Sequence, residues 1–282
     1  MRQKLVHQNV FNYLVKVVDQ EFFPKRKRKI RNEDIVFQAL RILKYGTSWR
    51  DTGSDGRYSW QTAHRRFSEL AKNNKFQKSW TSVIRRYVER ENRGRSKQFQ
   101  NLYIDTTFIK NIGGHDCLGR NPTDRGRKAT KLSVICDENR VIIGCHASPC
   151  SSDVKLVDDT LDSIPFDLHR LRRNRRSRIR QTYLIADKAY SSYALSDRME
   201  TRNIRLIVSK KKNSKRFVNK FSSTASARKK LAKRCTVEHC FGSMKRFKRI
   251  ARREDRLCQS YMTFFHLGLL IRTIENFPYV IF

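Results

Sequence analysis

Apolar residues in the first ninety positions recur at intervals of three and four, the period of an amphipathic helix, whereas beyond residue 100 they gather into short runs. The helical spacing predicts four helices over 9–22, 32–45, 59–73 and 76–88. Asn32 stands where the second would be capped and Gly46 where it would end; Ser59 precedes the third. The polar, charged stretch 92–98 breaks the periodicity and reads as a linker. This divides the chain into a small all-helical domain over 1–95 and a second domain over 96–282.

In the second domain the runs 102–109, 131–136, 141–146, 182–187 and 204–208 are rich in β-branched and apolar residues and bounded by polar ones. They predict five strands. Asp137-Glu-Asn-Arg140 makes a turn between the second and third, and so an antiparallel hairpin, while helical stretches at 153–161 and 189–202 separate the later strands. The order of three strands, helix, strand, helix, strand, helix is that of a ribonuclease-H-like α/β domain with a mixed five-stranded sheet. The last apolar segment, 261–271, predicts a helix that packs on the sheet or forms a dimer contact.

Charge then narrows the partner. Sixty-two Lys and Arg against 26 Asp and Glu give a formal net charge of +36 over 282 residues, the footprint of a protein that binds nucleic acid. A membrane is excluded as the partner because the longest uncharged apolar stretch, 257–271, falls short of the roughly 18 residues that a spanning helix needs. Lys16 and Asp19 interrupt the early apolar run, so no secretory signal is read, and an intracellular protein is expected. Seven cysteines without closely spaced pairs fit reduced thiols. A zinc site at Cys235, His239 and Cys240 is the sharper reading of two of them; small residues around a helix is the plainer one.

Three acids stand out in a chain with so few. Asp105 interrupts an apolar strand, Asp187 closes another, and Glu238 lies between Arg234 and Lys245 at spacings of four and seven, one face of a helix. An ionised carboxylate among apolar strand residues is costly unless bonded, paired or liganded. Asp105 could bond Thr106, Asp187 could cap the next helix, and Glu238 could pair with Arg234; alternatively the three converge on a divalent cation that acts on a phosphodiester held by Arg234 and Lys245. Upstream, Trp60-Gln-Thr-Ala-His-Arg-Arg-Phe67 has the look of a helix-turn-helix recognition helix, with Gln61, His64, Arg65 and Arg66 offered to DNA. The basic tracts 169–180 and 210–216 read as loops that clamp the phosphate backbone, and 24–29 as a further phosphate contact or a nuclear localisation signal. His115 and His146 lie near the first strands but read as structural or surface residues.

The chain resembles the DDE transposases of the bacterial insertion-sequence-five and insertion-sequence-four superfamily, with Harbinger transposases as more distant relatives. The resemblance runs through Leu43-Lys-Tyr-Gly-Thr-Ser-Trp-Arg-Asp51, Asp105-Thr-Thr-Phe108, Arg127-Lys-Ala-Thr-Lys131, Ala186-Asp-Lys-Ala-Tyr190 and the arginine, glutamate and lysine of 234, 238 and 245. Two positions depart from it: Leu231 stands where the family commonly has tyrosine, and Lys188 where a small residue is usual. The resemblance implies Asp105, Asp187 and Glu238 as catalytic metal ligands and Arg234 and Lys245 as DNA contacts; Asp153 matches another recurring acid without an assigned role.

What it implies about activity is DNA transposition: cleavage of transposon ends and transfer of the freed 3′-hydroxyl to target DNA. The expected cofactor is Mg²⁺, two ions, with Mn²⁺ able to substitute. The expected partners are double-stranded DNA at the transposon ends and target, and further copies of the chain in a homodimer or higher assembly. The compartment would be the bacterial cytoplasm and nucleoid, or a eukaryotic nucleus. The alternatives are a domesticated metal-dependent endonuclease without strand transfer and a catalytically inactive DNA-binding protein.

Overall fold

Helices form where the apolar spacing places them, and their ends show which polar residues stop them. In the computed structural model, which describes residues 5–21, 30–53, 58–93, 99–149, 152–168, 181–209 and 224–281, helix α1 spans Gln8–Glu21 and buries Val10, Leu14, Val17 and Val18. Helix α2, Asn32–Tyr45, ends at Gly46, whose φ of 69° is the left-handed conformation glycine adopts without strain while its N–H closes on Ile42 O. Its first residue is Asn32 rather than a cap: the cap position is Arg31, and the Asn32 amide donates across to Asp19 Oδ1 at 2.8 Å. Helix α3, Trp60–Lys72, is capped by Ser59, whose Oγ accepts from Thr62 N. Helix α4 runs Lys75–Arg93 and so extends into the polar stretch at 92.

Seven strands follow: β1 Asn101–Asn111, β2 Gly119–Arg120, β3 Lys128–Cys136, β4 Ile142–Ser148, β5 Thr182–Ala186, β6 Ile204–Val208 and β7 Arg252–Arg253. All five expected strands are present, and the sheet is mixed. Its order is β2-β3-β1-β5-β6, with β4 pairing β3 and β7 pairing β1. β3 and β4 form the expected antiparallel hairpin, and β1, β5 and β6 run parallel, joined through short helices: α5 Val157–Asp162 before β5, and α6 Tyr193–Thr201 between β5 and β6. β3 is buried at every residue from Ala129 to Cys136, so both of its faces are covered. Helices α7 Ala225–Ala232, α8 Cys235–Lys245, α9 Lys248–Ala251 and α10 Cys258–Asn276 complete the chain.

Packing groups these elements into two compact units that do not follow sequence order. One contains Met1–Tyr87, Ile109–Cys117 and Ser243–Phe282, the other Val88–Phe108 and Leu118–Gly242. Helix α10, expected on the sheet, packs instead against α1, α2 and α3. It is buried almost all round, and a helix apolar on every side fits the interior of a helical cluster better than one face of a sheet. Phe264 stacks on Phe67 with ring centroids 4.3 Å apart, and Trp49 lies 5.2 Å from Phe67. No helix of the described residues is long and apolar enough to cross a membrane. The stretch 94–98, the basic tracts 24–29, 169–180 and 210–216, and Cys150 lie outside the described residues.

The same unit contains a fully buried guanidinium. Arg253 donates to Asp116 O at 2.7 Å, to Arg256 O at 3.0 Å and to Asp255 O at 3.1 Å, and pairs with the Asp116 carboxylate. Beside it Arg249 meets Asp255 twice at 3.0 Å. Replacing Arg253 with methionine removes the side-chain donor to Asp116 O and Asp255 O while Arg256 O keeps His115 N and the Asp116 carboxylate keeps Cys258 N, and is expected to lower the unfolding free energy by about 3 kcal/mol in urea titration.

Candidate active site

Strand pairing brings the first two acids together. β1 and β5 are parallel with Tyr103 opposite Ile185, so two residues further along Asp105 stands beside Asp187, just past the end of β5. Each is anchored locally by one oxygen. Asp105 Oδ1 accepts from Thr106 N at 2.9 Å, and Asp187 Oδ1 accepts from Lys188 N at 2.7 Å as it caps the 3-10 turn Lys188–Tyr190. Both acids line one cleft of about 390 Å³.

Glu238 reaches this pair indirectly. It lies in the first turn of α8, is half exposed and does not line the cleft. Arg234 connects it: one guanidinium nitrogen is 2.5 Å from Glu238 Oε1 and another 3.6 Å from Asp105 Oδ2. All three local alternatives read from the sequence are therefore realised together. Lys245 is exposed at the far end of α8, two helical turns on from Glu238.

A third acid lines the cleft that the sequence left without a role. Asp153 Oδ1 accepts from Thr106 Oγ1 and pairs with Lys131 Nζ at 2.6 Å. The Lys131 side chain is only 4% exposed, and its ammonium lies 4.7 Å from the centre of the Phe108 ring. Tyr190, also on the cleft wall, is buried, and among the described residues its hydroxyl makes no hydrogen bond of good geometry, with the Thr106 side chain beside it. Asn121, held by Thr123 at 2.7 Å, closes another side.

Electrostatics follow from this crowding. Burial raises the Asp105 carboxyl above its ordinary range; Thr106 N and Arg234 oppose the shift, and the charges of Asp187 and Asp153 add to it. Burial pushes the Tyr190 phenol well up, the charges of Asp153 and Asp105 push it further, and the Thr106 side chain opposes the shift. Among the described residues no three carboxylate, imidazole or thiol groups stand together as a closed set of metal ligands. The donors nonetheless suit a hard cation: acidic oxygens share one cleft, and a buried hydroxyl there makes no hydrogen bond of good geometry among the described residues.

The remaining candidates separate clearly. Cys240 Sγ bonds Arg140 O at 3.3 Å and Cys235 is exposed, so the zinc reading of Cys235, His239 and Cys240 gains no ligand set among the described residues. His115 is exposed and His146 sits 3.7 Å from Asp159; neither lines the cleft. On α3, Gln61, His64 and Arg65 are exposed, with His64 edge-on to Trp49 at 5.3 Å. Arg66 departs from expectation. It falls on the inward stripe with Ala63, Phe67 and Leu70, is 9% exposed and pairs with Glu69 at 3.2 Å. A second cleft of about 500 Å³, between α1 and α4, is lined by Lys16, Lys75, Lys78 and Arg86 among uncharged polar residues and by no carboxylate.

A carboxyl whose folded pKa is raised binds more protons folded than unfolded, so its contribution to stability falls as pH climbs through the window between the two values. Asp105→Asn keeps an acceptor for Thr106 N and removes that penalty. The substituted protein is expected to melt higher than the parent at pH 7, with the difference closing towards pH 4, in calorimetric scans across that range.

Comparison with known proteins adds the family. The profile described as "Transposase DDE domain" matches residues 102–256, which span β1 through β7 and contain all four acids above. Among solved structures, the piggyBac transposase synaptic complex with hairpin DNA aligns over 98% of this chain and 74% of that one, at 10% identity and a TM-score of 0.54, a likeness of fold. The Mos1 strand transfer complex aligns over 92% and 78%, at 14% identity and a TM-score of 0.34. Among curated protein sequences none matches. With a ribonuclease-H-like sheet that brings Asp105 and Asp187 into one cleft, and a family match over more than half its length, the chain belongs to the DDE transposases.

Proposed function

We propose that the protein cleaves transposon ends and joins the freed 3′-hydroxyl to target DNA, with Asp105, Asp187 and Glu238 as its catalytic acids. The observation that carries this is the register of β1 against β5, which sets two aspartates side by side over a cleft and leaves one oxygen of each outside its local anchor. These three residues would hold the Mg²⁺ ions, which supply Lewis-acid activation of the attacking hydroxyl and of the scissile phosphate. Mn²⁺ would fit the same oxygen donors.

The protein's own groups prepare that chemistry. Thr106 N and Lys188 N fix the rotation of the two aspartates, so their outer oxygens are already aimed before DNA arrives. Arg234 neutralises the gap between Asp105 and Glu238. A phosphate of the substrate competes for that guanidinium, which would release both carboxylates as it binds. Lys245, on the same helix, would take a neighbouring phosphate.

The helical part, 1–95, serves as the DNA-binding domain in this reading and 96–282 as the catalytic one. Gln61, His64 and Arg65 are the exposed groups of α3 that would read DNA, whereas Arg66 would steady the helix through Glu69. The basic cleft between α1 and α4 would hold backbone phosphates. Acting on two ends and a target, the protein would work as a homodimer or higher assembly.

Two measurements test this reading. Asp187→Ala should bind the cognate end duplex as the parent does and lose cleavage by about a thousandfold or more in Mg²⁺, since the acid acts on the reaction and not on binding; undiminished cleavage contradicts the site. Lys16→Gln with Lys78→Gln should flatten the dependence of log affinity on log salt by about two units, as two phosphate contacts are lost. An unchanged slope removes that cleft from the DNA interface.

A further inference from the structure

Asp153 is held in an uneven way. Both of its protein partners, Thr106 Oγ1 and Lys131 Nζ, bind Oδ1, while Oδ2 has no partner among the described residues. The side chain is 25% exposed and lines the cleft with Asp105 and Asp187. Lys131, its partner, is nearly buried on β3, where an unpaired ammonium would be costly. The pair therefore sets a cation against the third of three carboxylates gathered in one cleft. On the cleft wall Tyr190 adds a buried hydroxyl that makes no hydrogen bond of good geometry among the described residues and lies near Thr106, close enough to Asp153 and Asp105 to feel both charges.

A chain of contacts also ties Asp153 to Asp105. Thr106 gives its hydroxyl to Asp153 and its backbone N–H to Asp105. Whatever fixes the Thr106 side chain steadies the residue whose amide orients Asp105. Lys131 anchors the far end of this relay, and neither Lys131 nor Asp153 is one of the three proposed catalytic acids.

We propose that Asp153, with Lys131 as its fixed counter-ion, is a positioning residue of the cation site: it orients Asp105 through Thr106, and its Oδ2, together with Tyr190 Oη, accepts hydrogen bonds from the hydration shell of a divalent cation entering beside Asp105. A small hard cation gives up its water reluctantly, so acceptors placed one layer out contribute to its affinity. This rests on the reading that the cleft takes such a cation, and extends it to residues outside the three acids.

The test is calorimetric titration of Mn²⁺ into the full-length chain without DNA, which reads affinity apart from activity. Asp153→Asn is expected to weaken Mn²⁺ about tenfold. Tyr190→Phe, which removes that hydroxyl and keeps the ring, should weaken it while leaving the melting temperature unchanged or raised. Because Asp153→Asn strands the Lys131 ammonium and can unfold the protein, Asp153→Asn combined with Lys131→Met provides the second variant; it should fold and still show the tenfold loss. Asp105→Asn is the reference. If Asp105→Asn loses Mn²⁺ while the Asp153 variants bind within twofold of the parent, the role of Asp153 is overturned and the cation site stands. If Asp105→Asn itself binds as the parent does, the cation reading of the cleft falls, and this inference with it.

Discussion

A carboxylate drawn out of water must be compensated, and each of the three acids lining this cleft accepts a hydrogen bond or an ion pair at Oδ1. Thr106 N takes Oδ1 of Asp105, Lys188 N takes Oδ1 of Asp187, and Thr106 Oγ1 with Lys131 takes Oδ1 of Asp153. Local bonding at one oxygen of each acid meets part of the cost of burial, and the second oxygen of Asp105 faces the guanidinium of Arg234. The same bonds lock the carboxylate planes. Burial nonetheless holds the Asp105 carboxyl above its ordinary range.

Cations of the chain do two different jobs around that cleft. Lys131 is buried and committed to Asp153, so it acts as a permanent part of the structure. Arg234 is more exposed and divides its guanidinium between Asp105 and Glu238. Among the described residues, exposed cations such as Arg65, Lys72 and Lys78 contribute to attraction at a distance rather than to geometry. Buried Arg253 is a third kind, spending its donors on main-chain carbonyls to hold 109–117 against the segment after β7.

Much of this was legible in the sequence because it is local. Five strands were marked by apolar runs, Gly46 by its place after a helical period, and Ser59 by its hydroxyl before one. Asp105 and Asp187 stood out because acids rarely interrupt such runs. Asn32 was misplaced by one residue because a side-chain bond to Asp19, distant in sequence, competes with capping. Arg66 looked like a surface residue by type, yet its phase on α3 puts it between Ala63 and Leu70 on the inward stripe. The packing of α10 on α1 to α3 was hidden because uniform apolarity says that a helix is buried and not against what. Lys131 and Tyr190 could not be assigned for the same reason: their meaning comes from Asp153 and Asp105, brought near by sheet pairing and turns rather than by sequence spacing. The Asp-Lys-Ala-Tyr run at 187–190 did carry the second of them, without showing where its hydroxyl would point.

The central claim is that the cleft between β1 and the end of β5 is where a divalent cation binds. It can be tested directly by loading the full chain with Fe²⁺ in place of Mg²⁺, adding ascorbate and peroxide, and mapping where the backbone is cut, since radicals formed at the metal act on the nearest chain. Cuts clustered beside Asp105, Asp153 and Asp187, suppressed by excess Mg²⁺, are the predicted result. Cuts spread evenly along the chain, or centred on α1 and α4 instead, would contradict it.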